Sequence, residues 1–219
     1  MLLELSPDQL LTTTRAVRKR LDLDRPVPRA IVEECLDLAL QAPNGSNQQT
    51  WRWVLVDDPE VRAAVAKIYA EAMAQHLEEL QSAASAIPKI DYSGEENARL
   101  TASVNYLLEN MHRVPVLVIP TFAGRPDGAH PFLQASMWGS ILPAVWSFML
   151  ALRSRGLGSA WTTIHLHKER EMAELLGIPF ERRTQAGLFP VAYTLGADFK
   201  PAPRRPVQEV VRWNRWSRS

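Results

Sequence analysis

Apolar and polar positions along the chain follow two periods in turn, one helical and one extended. Ser6-Pro7-Asp8 sets a capping serine before a proline at the first helical position, so a helix is expected from there towards Arg15. Pro28 opens a second helix in which Ile31, Cys35, Leu38 and Ala42 form one apolar stripe, stopped by Pro43 and Gly45. Trp51 to Val56 is aromatic and β-branched and reads as a strand, and Asp58-Pro59-Glu60 then starts a long helix reaching about Leu80. Ala86 to Asn97 has the proline, glycine and acidic residues of a loop, and a helix follows over Ala98 to Arg113. Pro115 to Pro120 is wholly apolar, the signature of a strand buried on both faces. After a loop over Gly124 to Pro131, an apolar helix runs from Phe132 to Arg155 and ends at Gly156, with Pro143 as a point of kinking. Its longest apolar run, Ile141 to Leu152, is interrupted by Pro143 and falls short of the roughly 18 apolar residues of a bilayer span, which marks a buried core helix. Ser159 to Ile164 reads as a strand, Lys168 to Leu176 as a helix closed by Gly177, and Gln185 to Leu195 as containing the last core strand. Four strands interleaved with helices predict an α/β or α+β sandwich.

The 219 residues suit one domain spanning 1–219. Twenty-five basic residues against 24 acidic ones leave a net charge of +1, which gives no reason to expect a nucleic-acid or membrane partner. The basic residues gather at the two ends, however. Arg15, Arg18, Lys19 and Arg20 stand near the start, and Lys200, Arg204, Arg205, Arg212, Arg215 and Arg218 near the finish. Two basic termini either serve one anionic ligand or are both solvated. The tail is too polar for a core of its own, yet carries Trp213 and Trp216; an arm over 197–219 packed on another subunit reconciles the two. The single cysteine, Cys35, lies in a helical context that suits a buried thiol, and a reducing, cytoplasmic setting fits.

No nucleophile elbow, zinc-protease helix, paired-cysteine motif or phosphate-binding P-loop is present. His165 and His167 would share one face of the expected strand, without the further ligands a metal needs. Neither a catalytic side chain nor a metal ligand is therefore assigned, and redox chemistry would come from a bound organic cofactor. Two segments carry candidate binding chemistry. Arg15-Ala16-Val17-Arg18 places two guanidiniums three residues apart, on one face if helical, where they either grip an anion or end a helix in solvent. Ala42-Pro43-Asn44-Gly45-Ser46-Asn47-Gln48-Gln49-Thr50-Trp51 packs amides into a glycine-containing loop, suited to a ligand edge with mixed donors and acceptors or to an ordinary turn.

Together these segments resemble the opening of the FMN-dependent nitroreductase family, in which a short basic segment is followed by a motif of the form A-P-S-x-x-N-x-Q-P-W. Ala42, Pro43, Asn47, Gln49 and Trp51 match that motif; Asn44 replaces its serine and Thr50 its proline. In the basic segment Thr14 stands where a first basic residue is common, and Ala16 where serine is common. Gly156-Leu157-Gly158-Ser159-Ala160-Trp161-Thr162-Thr163, Glu174 to Pro179 and Lys200 to Val211 resemble later family segments in the same order.

The resemblance implies an α+β three-layer sandwich, with a central, mainly antiparallel sheet flanked by helices, in an intertwined homodimer that builds two FMN sites. It implies that Arg15, Arg204 and Arg205 bind the FMN phosphate, with Ala16 beside them, and that Arg18 lies near the ribityl chain or the N1–O2 edge. Trp161, Thr162 and Thr163 would border the isoalloxazine ring, and Pro43, Asn44, Asn47 and Gln49 would approach it from the other subunit. The implied activity is ping-pong reduction of nitroaromatics, quinones or similar small acceptors by NADPH or NADH. Other flavin reactions (oxidase, dehalogenation, ene reduction), a flavin sensor or storage module with little turnover, and a non-flavin interaction protein are the competing expectations.

Overall fold

In the computed structural model, which describes residues 2–81 and 95–216, five strands form one sheet between two helical layers. The helices are α1 (Pro7–Thr13), α2 (Arg29–Ala39), α3 (Pro59–Gln81), α4 (Glu95–Asn110), α5 (Pro131–Ser154), α6 (Glu169–Leu176) and α7 (Val207–Val210). The strands are β1 (Arg52–Val56), β2 (Val116–Ala123), β3 (Leu157–Ser159), β4 (Arg183–Gln185) and β5 (Phe189–Tyr193). The sheet runs β1-β2-β5-β3, with β4 also on β2, and every pairing is antiparallel.

The centre of the sheet explains the three layers. Val116, Val118 and Phe122 of β2 face a core shared with α2 and α5, while Leu117 and Ile119 face the core of α3 and α6. β5 divides in the same way, with Phe189 and Val191 on one side and Leu188 and Ala192 on the other. A strand apolar at every position is what two covered faces require.

Several expected boundaries move, each for a physical reason. Helix α1 opens as expected, with Ser6 and Gln9 forming a reciprocal capping box and Pro7 at its start. It stops at Thr13, however, so Arg15 and Arg18 are not on a helix. Thr12, Thr13 and Thr14 each donate their hydroxyl to the carbonyl four residues back, which satisfies the last turn, and their β-branching disfavours another. The loop expected over Ala86–Asn97 lies outside the described residues except for its last three, Glu95–Asn97, which open α4. The strand expected over Ser159–Ile164 is instead β3, ending at Ser159; Thr162 adds an isolated bridge to Leu188, and Ile164–Lys168 forms a 3-10 turn. His165 and His167 therefore sit on a turn, not on one strand face. His165 is wholly buried, while His167 Nε2 lies 3.1 Å from His76 Nδ1 and its Nδ1 3.3 Å from Glu79.

The last strand is broken in two, and Pro120 sits at the break. β2 pairs with β5 through Val118 and with β4 from Thr121 onward. Between them Pro120 has no N–H to give, and its carbonyl accepts from Ala186 across the gap. Gly187 follows with φ +152°, where a Cβ would come within 2.7 Å of Trp161 Nε1.

Helix α5 was expected to be a core helix, and only its second half is one. It runs through Pro143 and is apolar and long enough, by length and composition alone, to cross a membrane (mean hydropathy 1.4). Ile141 to Arg153 packs into the core against α2 and β3, but Phe132, Leu133, Ala135, Gly139 and Trp146 are exposed. Met137 and Trp138 of the first half still pack on the core, Trp138 edge-on to Phe122, whereas Phe132 and Leu133 stay exposed in the single chain.

Candidate functional site

The segment after α1 is pinned to β3, and this pinning shapes the main cleft. Ala16 bridges Ser159 in parallel, with the Val17 N–H donating to the Ser159 carbonyl at 2.8 Å. Both glycines of the Gly-Leu-Gly stretch have a role. Gly156, at φ +73°, ends α5. Gly158 has no space for a side chain: a Cβ there would lie 2.7 Å from Thr194 Cγ2 and 3.0 Å from Val17 Cβ. The absence of that carbon lets the segment carrying Arg15 and Arg18 lie flat on the strand.

The resulting cleft, about 380 Å³, is lined by Arg15 to Arg20, Ser103 and Asp198 to Lys200. The two basic ends of the chain thus meet: five of the lining residues are cationic, and the one carboxylate, Asp198, is tied to Arg20 at 2.5 Å. Arg15 donates to the Lys200 carbonyl at 3.3 Å. Arg18 is half-buried and its guanidinium is lowered from its ordinary range, mainly by burial, with Tyr69 acting in the other direction. Its hydrogen bond, at 3.4 Å, is to the hydroxyl of Ser103, and among the described residues no carboxylate pairs with it. A desolvated cation without a counter-charge favours an anion in the cleft.

Beyond β3 the chain carries Trp161, Thr162 and Thr163. Trp161 donates its indole N–H to the Ala186 carbonyl at 3.1 Å and packs on Phe189. Thr162 is committed entirely to Leu188, through its N–H, its carbonyl and its hydroxyl. Its hydroxyl also meets that of Tyr69, whose pKa is raised by burial. Of the three, Thr163 alone keeps an exposed side chain.

The amide-rich loop forms a second cleft, about 480 Å³, lined by Leu40 to Asn44, Asn47 and Gln49. Its backbone is strained in a specific way. Ser46, Asn47 and Gln49 have φ of 51°, 53° and 50°, a left-handed conformation that L-residues adopt at a cost and that gathers at functional sites. The strain is held by Asn44, whose side-chain oxygen accepts the Gln49 N–H at 2.9 Å, and by Ser140 of α5, whose hydroxyl accepts the Gly45 N–H at 2.9 Å. The side chain of Gln49 donates to Asn47.

The two clefts share no lining residue, so one chain does not bring Pro43, Asn44, Asn47 and Gln49 to Arg15, Ala16 and Arg18. Nor does it bring Arg204 and Arg205 there. Every described residue of the tail from Pro203 onward is exposed, with Trp213 and Trp216 each 85% so. Ser103 and Phe199 were missed by sequence reasoning. Ser103 lies in a stretch without a motif, whereas Lys19, Arg20 and Lys200 were visible as charge clusters.

A nitroreductase-family profile matches residues 11–193. An iodotyrosine deiodinase of Thermotoga neapolitana is 28% identical over 180 residues, covering 82% of this chain and 83% of that protein. An NADH dehydrogenase of Thermus thermophilus is 27% identical over 219 residues, covering 93% and 97%. Among solved structures, the FMN-dependent nitroreductase NfnB of Mycobacterium smegmatis in complex with NADPH superposes with a TM-score of 0.70 at 20% identity, over 95% of this chain and 97% of that one. The matched span runs from the end of α1 through β5 and takes in both clefts except for the tail residues, and on this basis the chain belongs to the nitroreductase family.

Proposed function

We propose that this chain is an FMN-dependent oxidoreductase that takes electrons from NADPH or NADH and passes them to a small acceptor such as a nitroaromatic or a quinone. The observation that carries the reading is Arg18, a half-buried guanidinium facing a cleft rich in cations, with no carboxylate among the described residues to balance it. That donor set fits a phosphomonoester. FMN held there supplies two-electron transfer between the nicotinamide and the acceptor.

Arg15 holds the phosphate end and Arg18 faces the ribityl chain or the N1–O2 edge, both kept in place by the pairing of Ala16 and Val17 with Ser159. Trp161, fixed by Ala186 and Phe189, and the exposed Thr163 present the strand to the ring. Thr162 is a brace rather than a ring ligand, because its polar groups are spent on Leu188 and Tyr69. No side chain is assigned as acid or base, since solvent protons suffice.

The site is completed by a second copy of the chain, as a cytoplasmic homodimer. The separation of the two clefts supports this, as do the uncovered apolar face of α5 and the fully exposed arm. In such a dimer Asn44, Asn47 and Gln49 of one copy face the ring bound by the other, and Arg204 and Arg205 add to the phosphate grip. The deiodinase relative supports a second reading, reductive dehalogenation at the same site.

A visible spectrum of the purified protein, repeated anaerobically after NADPH and then NADH, tests the proposal. Flavin bands that bleach within seconds are expected. A protein that stays colourless after reconstitution with FMN would refute it, and turnover with a panel of nitroaromatic, quinone and halophenol oxidants separates the two readings.

A further inference from the structure

Arg153 is an unusual residue for its place. It lies in the last turn of α5 and is 5% exposed, and among the described residues no carboxylate pairs with it. One of its nitrogens, Nη2, reaches the Ala197 carbonyl at 2.9 Å and the Thr13 hydroxyl at 3.3 Å. Its Nε and Nη1 are buried and have no partner. Burial, and after it the charge of Arg20, pushes its guanidinium below arginine's ordinary range.

A buried cation left this way is costly, and the carbonyl end of α5 offsets only part of that cost. What stands next to it is informative. Its guanidinium carbon lies 4.9 Å from the centroid of Phe199, and that of Arg20 lies 4.3 Å from the same ring. Phe199 is a wall of the cationic cleft. Arg153 therefore sits one side chain behind the cleft, outside its lining, and also holds the carbonyl of Ala197 at the root of the arm.

We propose that Arg153 is a positioning residue for phosphate recognition: its uncompensated charge behind Phe199 is balanced by the phosphate dianion of the cofactor, while its bond to Ala197 anchors it beside the segment that carries Phe199 and Lys200 along the cleft. The inference rests on reading that cleft as the FMN phosphate site. It assigns Arg153 to the phosphate end alone, so a flavin without a phosphate gains nothing from it.

The test compares dissociation constants for FMN and riboflavin, measured by flavin fluorescence on titration with the full chain, for wild type, Arg153→Met and Arg153→Lys. Wild type prefers FMN. Arg153→Met lowers that preference by about fivefold, the scale of one charge–charge interaction at intermediate dielectric, through weaker FMN binding with riboflavin unchanged. Arg153→Lys, which keeps the charge, holds the preference within about twofold of wild type. Thermal melts of both variants without ligand establish that each is folded before it is titrated. An unchanged preference in Arg153→Met overturns the proposal while leaving the FMN site standing. Equal loss in the Met and Lys variants also overturns it, since geometry and not charge would then matter. A wild type that binds FMN and riboflavin equally removes the phosphate reading of the cleft, and this proposal with it.

Discussion

Gly158→Ala is the sharpest probe of how the fold positions the cleft. The backbone of Gly158 is outside the left-handed region, so alanine suits its conformation and would by itself add about 0.4–1 kcal/mol by restricting the unfolded chain. The contacts oppose this. The added carbon meets Thr194 Cγ2 at 2.7 Å, Val17 Cβ at 3.0 Å and Val17 Cγ2 at 3.1 Å. These are roughly 0.4–0.8 Å short of a comfortable carbon–carbon distance. Thr194 cannot simply rotate away, because its hydroxyl donates to the carbonyls of Gly156 and Gly196. Val17 Cβ moves only with its backbone, which is tied to Ser159. Overpacking of this kind costs about 1–3 kcal/mol, so crowding outweighs the entropic gain. The net loss, up to about 2.6 kcal/mol, corresponds to a fall in Tm of up to roughly 10 °C for a chain of this size. The displaced segment carries Arg15 and Arg18, and weakening one charge-assisted bond to phosphate lowers FMN affinity by about tenfold or more. Thermal melts and FMN titrations measure the two effects together. Thr194→Ser in the Gly158→Ala background removes the closest contact, keeps the hydroxyl and restores part of both. A Gly158→Ala protein with wild-type Tm and wild-type FMN affinity would refute the reasoning.

Three further outcomes are expected. Arg15→Ala weakens FMN by about 1.5–3 kcal/mol, measured by fluorescence titration, and leaves riboflavin binding nearly unchanged; equal weakening of both ligands would remove Arg15 from the phosphate. His165 is buried neutral, with its pKa lowered from 6.5 to about 4, mainly by desolvation and with Gln185 acting in the other direction. The unfolded chain therefore binds its proton first. The stability that His165 contributes is complete above pH 6.5 and falls by about 3 kcal/mol as the pH drops towards 4, a component that denaturant unfolding should find missing in His165→Leu. Deleting residues 203–219 shifts the protein from dimer towards monomer in sedimentation and lowers FMN affinity; a truncated chain that stays fully dimeric with unchanged affinity contradicts the role given to the arm.

Much of this architecture could be read from the chain because its signals are local. Ser6-Pro7 fixed a helix start, Gly156 and Gly177 fixed helix ends, and the unbroken apolar run into Pro120 announced a strand covered on both sides. The misplacements came from partners distant in sequence. The last core strand, β5, lies within the expected Gln185–Leu195; what the chain shows only in part, through Gly187, is the break before it, whose other side is Pro120 on the neighbouring strand. Three consecutive threonines end α1 early, a signal that was present but that the basic residues after it obscured. The site was legible as motifs and not as geometry. Gly158 reads as part of a Gly-Leu-Gly turn until Val17 is laid against it, and Thr162 reads as a hydroxyl donor until Leu188 is seen to occupy it. Arg153 carries no motif, and its meaning comes from two guanidinium nitrogens that are buried without a partner among the described residues.

The proline at the centre of the sheet has an effect beyond interrupting a ladder. Because Pro120 cannot donate, the place on β2 where neither β4 nor β5 continues is confined to two residues, Ile119 and Pro120. If the Arg183–Tyr193 segment slid by one position, a carbonyl in need of a donor would face the proline, and every core side chain of β5 would turn to the wrong layer. Pro120 therefore acts as an index mark for the register of the folded sheet. It rejects the neighbouring alignments that an all-apolar strand would otherwise accept, and so sets where Ala186 presents its carbonyl to Trp161.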